Sequence, residues 1–249
     1  MPNIPSLDRI KIFADGASLP SMLESARDPR IAGFTTNPTL MRKAGISDYR
    51  AFAKEVLAAI RDKPISFEVF ADDVPEMRRQ AREIATWGAN VYVKIPVTNT
   101  KRESTAALVR ELASGGVKLN VTAICTLEQV REVTKALAGG APSVVSVFAG
   151  RIADTGRDPI PLMKEALQIC RATAASAELL WASPRELLNI FQADAVGCHI
   201  ITATPDVLKK LSLVGKDLDL YSRETVLMFY NDAKAAGFTI PAADRVAAE

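Results

Sequence analysis

The sequence predicts a parallel (β/α)8 barrel in a single domain, residues 1–249, with an additional helix near its C-terminal end. Eight short apolar runs recur along the chain, and a longer amphipathic stretch follows each of them. No Gly-, Ser- or Pro-rich linker and no break in composition separates these repeats. The length of 249 residues is typical of such a barrel. A doubly wound parallel sheet is the alternative arrangement of the same elements.

The predicted strands are the short apolar runs themselves. In chain order they cover about residues 10–15, 31–36, 65–70, 91–96, 118–123, 143–149, 178–182 and 198–203. With the helices between and after them, the barrel takes up about residues 10–215.

Helices are predicted between the strands because several of these segments carry start signals. Pro75 opens one helix, and residues 126–129 (Thr-Leu-Glu-Gln) and 183–186 (Ser-Pro-Arg-Glu) have capping-box spacing. Thr204 is a predicted N-cap residue, and Pro205 follows it at the first helical position.

More chain follows the eighth strand than one helix needs. Residues 219–236 form the predicted additional helix, Gly237 marks its end, and residues 241–249 are a polar tail. Apolar side chains on this helix can cover either the barrel or a neighbouring subunit, so the sequence leaves a homo-oligomer open. Among them are Val226, Leu227, Phe229 and Tyr230.

The composition excludes several classes of protein. With 48% hydrophobic residues the chain can bury a large aliphatic core, which excludes a disordered chain. The 31 basic and 29 acidic residues give a net charge of +2 and form no charged block, so neither nucleic acid nor a membrane surface is an expected partner. No stretch approaches the roughly 18 apolar residues of a membrane span. We expect a cytoplasmic protein.

Cysteine and histidine are too scarce for several common kinds of site. Cys125, Cys170 and Cys198 are scattered, which predicts three buried reduced thiols rather than disulfides or a zinc site. His199, the only histidine, lies in an apolar run and is expected in the core or behind the site, not in a catalytic triad. No metal site is predicted, and the chemistry is left to Lys, Asp, Glu, Asn, Thr and Ser.

Polar side chains share one face of several predicted strands. In residues 91–96, Lys94 alternates with the valines and an isoleucine, and the same alternation recurs in other strands. Since the aliphatic face must meet the helices, the polar face points into the barrel, near the strand ends where barrels have active sites. The predicted ring consists of Asp15, Glu68, Lys94, Asn120, Thr122 and Ser146. Burying so many polar groups is unfavourable unless they pair with one another.

Lys94 is the residue whose position in the sequence indicates a chemical function most clearly. An ammonium enclosed in an apolar barrel loses solvation, which favours the free amine that attacks carbonyl carbons and forms imines. A side chain reaching out of the barrel mouth, or a simple ion pair with Glu68, is the structural alternative. Glu68 and Asp15 can move the protons of imine chemistry, or serve as counter-ions to Lys94. Asp15 precedes Gly16 and can also be a turn residue.

An anion site is predicted late in the chain. Ser183 caps the predicted helix after strand seven, and such a helix N-terminus commonly binds phosphate in barrels. Arg185 in the first turn is unfavourable for the helix dipole, which suggests a bound anion, and Arg151 can reach the same place. The residues therefore indicate an imine-forming lyase or transferase that acts on a phosphorylated carbonyl compound and needs no metal or organic cofactor.

Six motifs occur in the order typical of one enzyme family. They are Ala14-Asp15-Gly16, Thr35-Thr36-Asn37-Pro38, Val93-Lys94-Ile95-Pro96, Asn120-Val121-Thr122, Phe148-Ala149-Gly150-Arg151-Ile152 and Trp181-Ala182-Ser183-Pro184-Arg185. From about residue 10 to about residue 237 the chain resembles the transaldolase family, whose shorter members include fructose-6-phosphate aldolases. The combination of motifs is more specific than any one of them.

The resemblance implies a role for each matching residue. Lys94 is the expected Schiff-base nucleophile toward a ketose phosphate, and Asp15 takes the proton of its C4 hydroxyl. Glu68 and Thr122 hold the catalytic water in the family. Asn37, Asn120 and Ser146 are expected to bind the three-carbon unit, and Arg151, Ser183 and Arg185 the phosphate.

The resemblance also distinguishes two activities. Aldolases of the family carry glutamine at the position of Glu68 and tyrosine at that of Phe148, whereas this chain has the transaldolase pair. The expected reaction transfers dihydroxyacetone from sedoheptulose 7-phosphate or fructose 6-phosphate to glyceraldehyde 3-phosphate or erythrose 4-phosphate, in the non-oxidative pentose phosphate pathway. An aldolase releasing free dihydroxyacetone and a non-catalytic sugar-phosphate-binding barrel are the alternatives. Pro184 departs from the phenylalanine of many transaldolases and can alter the pocket.

Overall fold

The computed structural model describes residue 7 and residues 9–240. The described chain forms two compact units, one ending at Leu211 and the other beginning at Ser212. All strands lie in the first unit. The prediction that the whole chain is one domain stays a prediction.

Eight parallel strands of the first unit close into a barrel in chain order, which confirms the predicted (β/α)8 fold. They are β1 (Lys11–Asp15), β2 (Ile31–Thr35), β3 (Ile65–Glu68), β4 (Val91–Pro96), β5 (Leu119–Ile124), β6 (Ser143–Val147), β7 (Ala177–Trp181) and β8 (Ile200–Ala203). The bounds of β4 are as predicted. β3 and β6 end two residues earlier than predicted: β6 because residue 149 already begins a helix, and β3 because the Phe70 N–H bonds to Gln80 Oε1.

Eleven α-helices lie between and after the strands in the described chain. They are α1 (Leu19–Ala26), α2 (Pro38–Lys43), α3 (Tyr49–Ala59), α4 (Val74–Ala85), α5 (Ala106–Ser114), α6 (Leu127–Leu137), α7 (Ala149–Ala153), α8 (Ile160–Thr173), α9 (Leu188–Val196), α10 (Pro205–Leu208) and α11 (Leu218–Ala235). The capping box of α6 is confirmed, since Thr126 and Gln129 each accept a hydrogen bond from the other's backbone N–H. Thr204 is the N-cap residue of α10, as predicted.

Side-chain alternation along the strands separates two apolar layers. Val93 and Ile95 are fully buried in the large cluster formed by strands and helices. Inside the barrel, Phe13, Leu180 and Ile200 belong to a second, smaller apolar cluster. Each fully buried aliphatic side chain contributes roughly 1.5–3 kcal/mol relative to its exposed state. The aliphatic face of the strands meets the helices, as the sequence predicts.

The predicted capping role of Ser183 is wrong. Helix α9 begins only at Leu188, and Ser183 has φ +58°, which is left-handed backbone and not the extended conformation of an N-cap. The chain is held in this turn against α7, where Gly150 donates its N–H to the Ala182 carbonyl at 3.2 Å. A Cβ on Gly150 would lie 1.5 Å from the Ser183 carbonyl oxygen, so only glycine permits this approach.

The second unit contains the predicted additional helix, α11. Asp217 is its N-cap residue and accepts a hydrogen bond from the Leu220 N–H at 2.8 Å. Gly237 ends the helix at φ +67°, as predicted. Within this unit the apolar side chains at positions 226, 227, 229 and 230 are exposed. A homo-oligomer stays a prediction, and the predicted tail, residues 241–249, lies outside the described residues.

No helix in the described part of the chain has both the length and the apolar character that a membrane crossing requires.

The cysteines are free, but only two of them are buried. Burial raises the pKa of the Cys170 and Cys198 thiols to about 12, which makes both unreactive. Cys125 is exposed, contrary to the prediction, because it lies where the chain leaves β5 for α6. His199 precedes β8 at the amino end of the barrel, and its Nδ1 accepts the Leu179 N–H at 2.9 Å. Burial lowers the pKa of His199, in keeping with the predicted structural role.

Candidate active site

The carboxyl ends of the strands surround an open cavity of about 380 Å³. All predicted site residues except Arg185 line this cavity. They are Asp15, Asn37, Glu68, Lys94, Asn120, Thr122, Ser146, Phe148, Arg151 and Ser183. The closed barrel brings these residues together from positions far apart in the sequence, because each strand ends at the same rim.

Lys94 is buried and held by two acceptors. Its side chain is 8% exposed, and Nζ lies 3.1 Å from Glu68 Oε2. Nζ also donates a hydrogen bond to the Thr36 carbonyl oxygen at 2.9 Å. β3 and β4 place Glu68 directly beside Lys94 in register, so the carboxylate needs no loop to reach the lysine. The pair satisfies a buried ammonium that would otherwise be strongly destabilising.

A chain of hydrogen bonds fixes the amide of Asn120. Its Nδ2 donates to Ser66 Oγ at 3.0 Å, and its Oδ1 accepts from Ser146 Oγ at 2.6 Å. These residues belong to β3, β5 and β6 and are buried. Asn120 and Ser146, two members of the predicted polar ring, therefore pair with each other.

Thr122 is the unsatisfied member of the ring. Its Oγ1 is buried and has no hydrogen-bond partner among the described residues, although it lines the cavity. A buried hydroxyl without a partner is unfavourable unless it binds something that enters the site. Thr122 can therefore hydrogen-bond a substrate atom or a water molecule.

Asp15 at the end of β1 is the second carboxylate of the cavity. Thr35 Oγ1 donates a hydrogen bond to Asp15 Oδ1 at 2.8 Å. Burial raises the pKa of Asp15 above its ordinary value, and the charge of Glu68 acts in the same direction. The charge of Lys94 and the Thr35 hydrogen bond partly offset this rise. A carboxylate with a raised pKa is well suited to accept a proton.

The predicted anion-binding residues separate into two groups. Arg151 on α7 and Ser183 line the cavity, and Arg151 makes no ion pair with any described residue. Arg185 does not line the cavity, because its guanidinium is paired with the Asp154 carboxylate. Nε donates a hydrogen bond to Oδ1 at 2.9 Å, and Nη2 donates one to Oδ2. Arg185 is therefore already neutralised, whereas Arg151 is free to bind an anion.

Two further residues of the cavity were missed from the sequence as functional groups. Thr35 and Thr202 line the cavity, and their hydroxyl oxygens lie 2.5 Å apart. The signal was available, since Thr202 interrupts an apolar strand at a position whose side chain faces the barrel interior. Thr36 was missed for a different reason, because its contact with Lys94 uses the backbone carbonyl, which any residue carries.

Comparison with known proteins agrees with this geometry. The family model described as transaldolase/fructose-6-phosphate aldolase matches residues 12–244. A probable transaldolase of Dehalococcoides mccartyi is 35% identical over 202 residues, which cover 81% of this chain and 90% of that protein. Probable transaldolases of Methanococcus maripaludis and Roseiflexus castenholzii are each 36% identical over 81% of this chain, covering 89% and 88% of their own lengths.

The raised pKa of Asp15 predicts a pH-dependent loss of stability. Below the pKa of the unfolded state the carboxyl is neutral in both states. As the pH rises above that value the unfolded chain ionises first, so stability falls until the pH passes the higher pKa of the folded state. We expect the stability of Asp15→Asn relative to the unaltered protein to be greater at about pH 8 than at about pH 4. Urea unfolding at both pH values measures this.

Asp154→Asn is the matched control. Arg185 lowers the pKa of Asp154, so removing this carboxyl should lose stability, not gain it, as the pH rises through its window. A difference between Asp15→Asn and the unaltered protein that does not change with pH would contradict the assignment of a raised pKa to Asp15.

Proposed function

The chain belongs to the transaldolase/fructose-6-phosphate aldolase family, and on this premise we propose that it is a transaldolase. The enzyme cleaves a ketose phosphate, keeps the dihydroxyacetone unit on Lys94 and passes it to an aldose phosphate. The proposed donors are sedoheptulose 7-phosphate and fructose 6-phosphate, and the proposed acceptors are glyceraldehyde 3-phosphate and erythrose 4-phosphate. The reaction belongs to the non-oxidative pentose phosphate pathway, in the cytoplasm. The observation that carries the proposal is the buried Lys94–Glu68 pair in the cavity that Arg151 also lines.

Imine formation is the proposed first step. Lys94 Nζ attacks the C2 carbonyl after giving a proton to Glu68, which lies 3.1 Å away. A bond forms between Nζ and C2, and the carbinolamine hydroxyl then leaves as water with a proton from the Glu68 carboxyl. The unpaired Thr122 hydroxyl supports this step, since it can bind the departing water. No metal or organic cofactor is needed for this chemistry.

Carbon–carbon cleavage is the proposed second step. Asp15 takes the proton of the C4 hydroxyl, and the C3–C4 electron pair moves into the protonated imine, which becomes a neutral enamine on Lys94. C4 leaves as the aldehyde of the shortened aldose phosphate. The raised pKa of Asp15 supports its role as the base, because a base is most effective when its pKa approaches the working pH.

The remaining residues hold the substrate in the proposed complex. Asn120 and Ser146 bind hydroxyls of the three-carbon unit from a hydrogen-bonded network that is already formed. Asn37 caps α2 through Oδ1, which accepts the Leu40 N–H at 3.0 Å and leaves Nδ2 as a donor. Arg151 and Ser183 bind the phosphate, and Arg185 contributes only if it releases or shares Asp154.

Transfer is favoured over release by the residues around the enamine. Phe148 offers no proton, so protonation and hydrolysis of the enamine are slow, and the enamine persists until an aldehyde acceptor binds. Glu68 stands where family aldolases have glutamine. An aldolase that releases free dihydroxyacetone is the second candidate, because the family includes that activity. A barrel that only binds sugar phosphate would not need Lys94, Glu68 and Asp15 together in one cavity.

An acceptor-dependence assay tests the proposal. We expect continuous release of glyceraldehyde 3-phosphate from fructose 6-phosphate only when erythrose 4-phosphate is present, no more than one equivalent per enzyme without it, and the release to be lost in Lys94→Met. Continuous release without acceptor would show an aldolase. The proposal would be contradicted, and the binding barrel favoured, if fructose 6-phosphate released no glyceraldehyde 3-phosphate and sedoheptulose 7-phosphate released no erythrose 4-phosphate in the presence of an acceptor.

Phe148→Tyr is expected to shift the reaction toward release. The added phenol hydroxyl can protonate the enamine carbon, so the ratio of free dihydroxyacetone to transferred product should rise by about tenfold or more. Phe148→Leu is the matched control, since it alters the ring without adding a proton donor and should leave that ratio low. The ratio is measured from both products in one reaction, and an equal ratio in the two variants would contradict the role given to Phe148.

A further inference from the structure

Two hydroxyl groups and one carboxyl group form a continuous series of hydrogen bonds beside the β8–β1 pairing that closes the barrel. Thr202 on β8, Thr35 on β2 and Asp15 on β1 come from three neighbouring strands. The Thr202 and Thr35 hydroxyl oxygens lie 2.5 Å apart, and Thr35 Oγ1 lies 2.8 Å from Asp15 Oδ1. Both threonines are buried, with 6% and 3% of their surfaces exposed. The contacts therefore persist with little competition from solvent.

The strand register places these groups side by side. β1 pairs with β2 so that Asp15 lies opposite Thr35, and β1 pairs with β8 so that Thr202 lies opposite Phe13. Phe13 and Asp15 are two residues apart, so their side chains share the interior face of β1. Thr202 thus reaches the barrel interior beneath the carboxylate and contacts it only through Thr35.

The number of available protons determines which hydroxyl donates in each of these hydrogen bonds. An ionised carboxylate only accepts hydrogen bonds, so Thr35 donates its single hydroxyl proton to Asp15 Oδ1. Thr35 then has no proton left for Thr202. The Thr202 hydroxyl must therefore donate to Thr35 Oγ1 across the 2.5 Å contact. Each bond polarises the next, which strengthens the hydrogen bond that reaches the carboxylate.

We propose that Thr202 is a positioning residue for Asp15, acting through Thr35 to hold the carboxylate ionised and oriented for the reaction. The inference rests on the proposed function, in which Asp15 takes the C4 hydroxyl proton. With Oδ1 held by Thr35, Oδ2 is the oxygen left to accept that proton. Thr202 differs from the residues around the enamine, since its role is to act on the base and not on the three-carbon unit.

The contribution of Thr202 can be measured through the pKa of Asp15, which depends on the groups around this carboxyl. Burial and the Glu68 carboxylate on β3 raise the pKa of Asp15, whereas Lys94 on β4 and the Thr35 hydrogen bond lower it. Loss of the Thr35 hydroxyl should raise this pKa further, and loss of the Thr202 hydroxyl should raise it less, because one donor remains. Thr→Val changes remove each hydroxyl while nearly preserving side-chain shape.

The experiment is a double-mutant cycle with two readouts. Thr202→Val, Thr35→Val and the double variant are compared by the pH dependence of kcat for dihydroxyacetone transfer and by NMR titration of the isotope-labelled Asp15 carboxyl carbon, assigned with Asp15→Asn. Thr202→Ser keeps the hydroxyl and should restore the unaltered behaviour. Thr134→Val is the matched control, since it removes another buried hydroxyl, one that bonds only to backbone carbonyls within α6.

We expect Thr202→Val to lower kcat at neutral pH by about threefold to tenfold, the effect of one hydrogen bond, and to raise the apparent pKa of the acid limb together with that of the Asp15 carbon. In the Thr35→Val background the same change should have almost no further effect, because the link is already broken. Thr134→Val should leave both readouts unchanged.

Two results separate the failure of this inference from the failure of the proposed function. An Asp15 titration in Thr202→Val identical to that of the unaltered protein, or full effects of Thr202→Val in the Thr35→Val background, would overturn the inference whatever the activity. If the unaltered protein has no transfer activity but Thr202→Val still raises the pKa of Asp15, the proposed function is overturned. The effect of the Thr202–Thr35 hydrogen bonds on the Asp15 carboxyl is then still supported.

Discussion

The burial of one ammonium group inside a barrel of branched aliphatic residues is the constraint on which the rest of the site depends. Lys94 is 8% exposed at its side chain, so its charge must be compensated by groups that the strands themselves supply. Glu68 supplies a carboxylate from the neighbouring strand, and Thr36 supplies a backbone carbonyl. These two acceptors keep the amine in place and leave it beside a group that can take its proton.

The closed barrel offsets the energetic cost of burying Lys94 and the polar groups around it. Valines and isoleucines on the outer face of the strands bury against the helices, while polar side chains on the inner face pair with one another near the rim. Two groups escape full pairing, the Thr122 hydroxyl and the Asp15 carboxyl with its raised pKa. Unpaired buried polar groups and shifted pKa values of this kind are typical of sites where a protein binds and transforms another molecule.

Much of the fold and site could be predicted from the sequence because two-residue alternation is a strict property of strands. Residues 91–96 were predicted and observed as the same strand, and the polar face of the strands became the cavity lining. Local motifs were less reliable, since Ser183 has capping-box spacing but is held in a left-handed turn by its close approach to Gly150. Arg185 likewise pairs with Asp154, a partner that only the folded chain brings near. The position of Thr202 on the inner face of its strand could be predicted, but its contact with Thr35 was seen only in the folded structure.

Reductive trapping of the enzyme with fructose 6-phosphate and sodium borohydride tests the central claim most directly. If Lys94 forms the imine and the C3–C4 bond breaks on the enzyme, the enamine left on Lys94 slowly takes a proton from water to give an imine, which borohydride reduces. The peptide containing Lys94 will then carry a reduced three-carbon unit without phosphorus when no acceptor is present. Mass spectrometry of the digested protein identifies both the modified residue and the size of the adduct. The same adduct on a different lysine, or none on an enzyme that is turning over, would contradict the account.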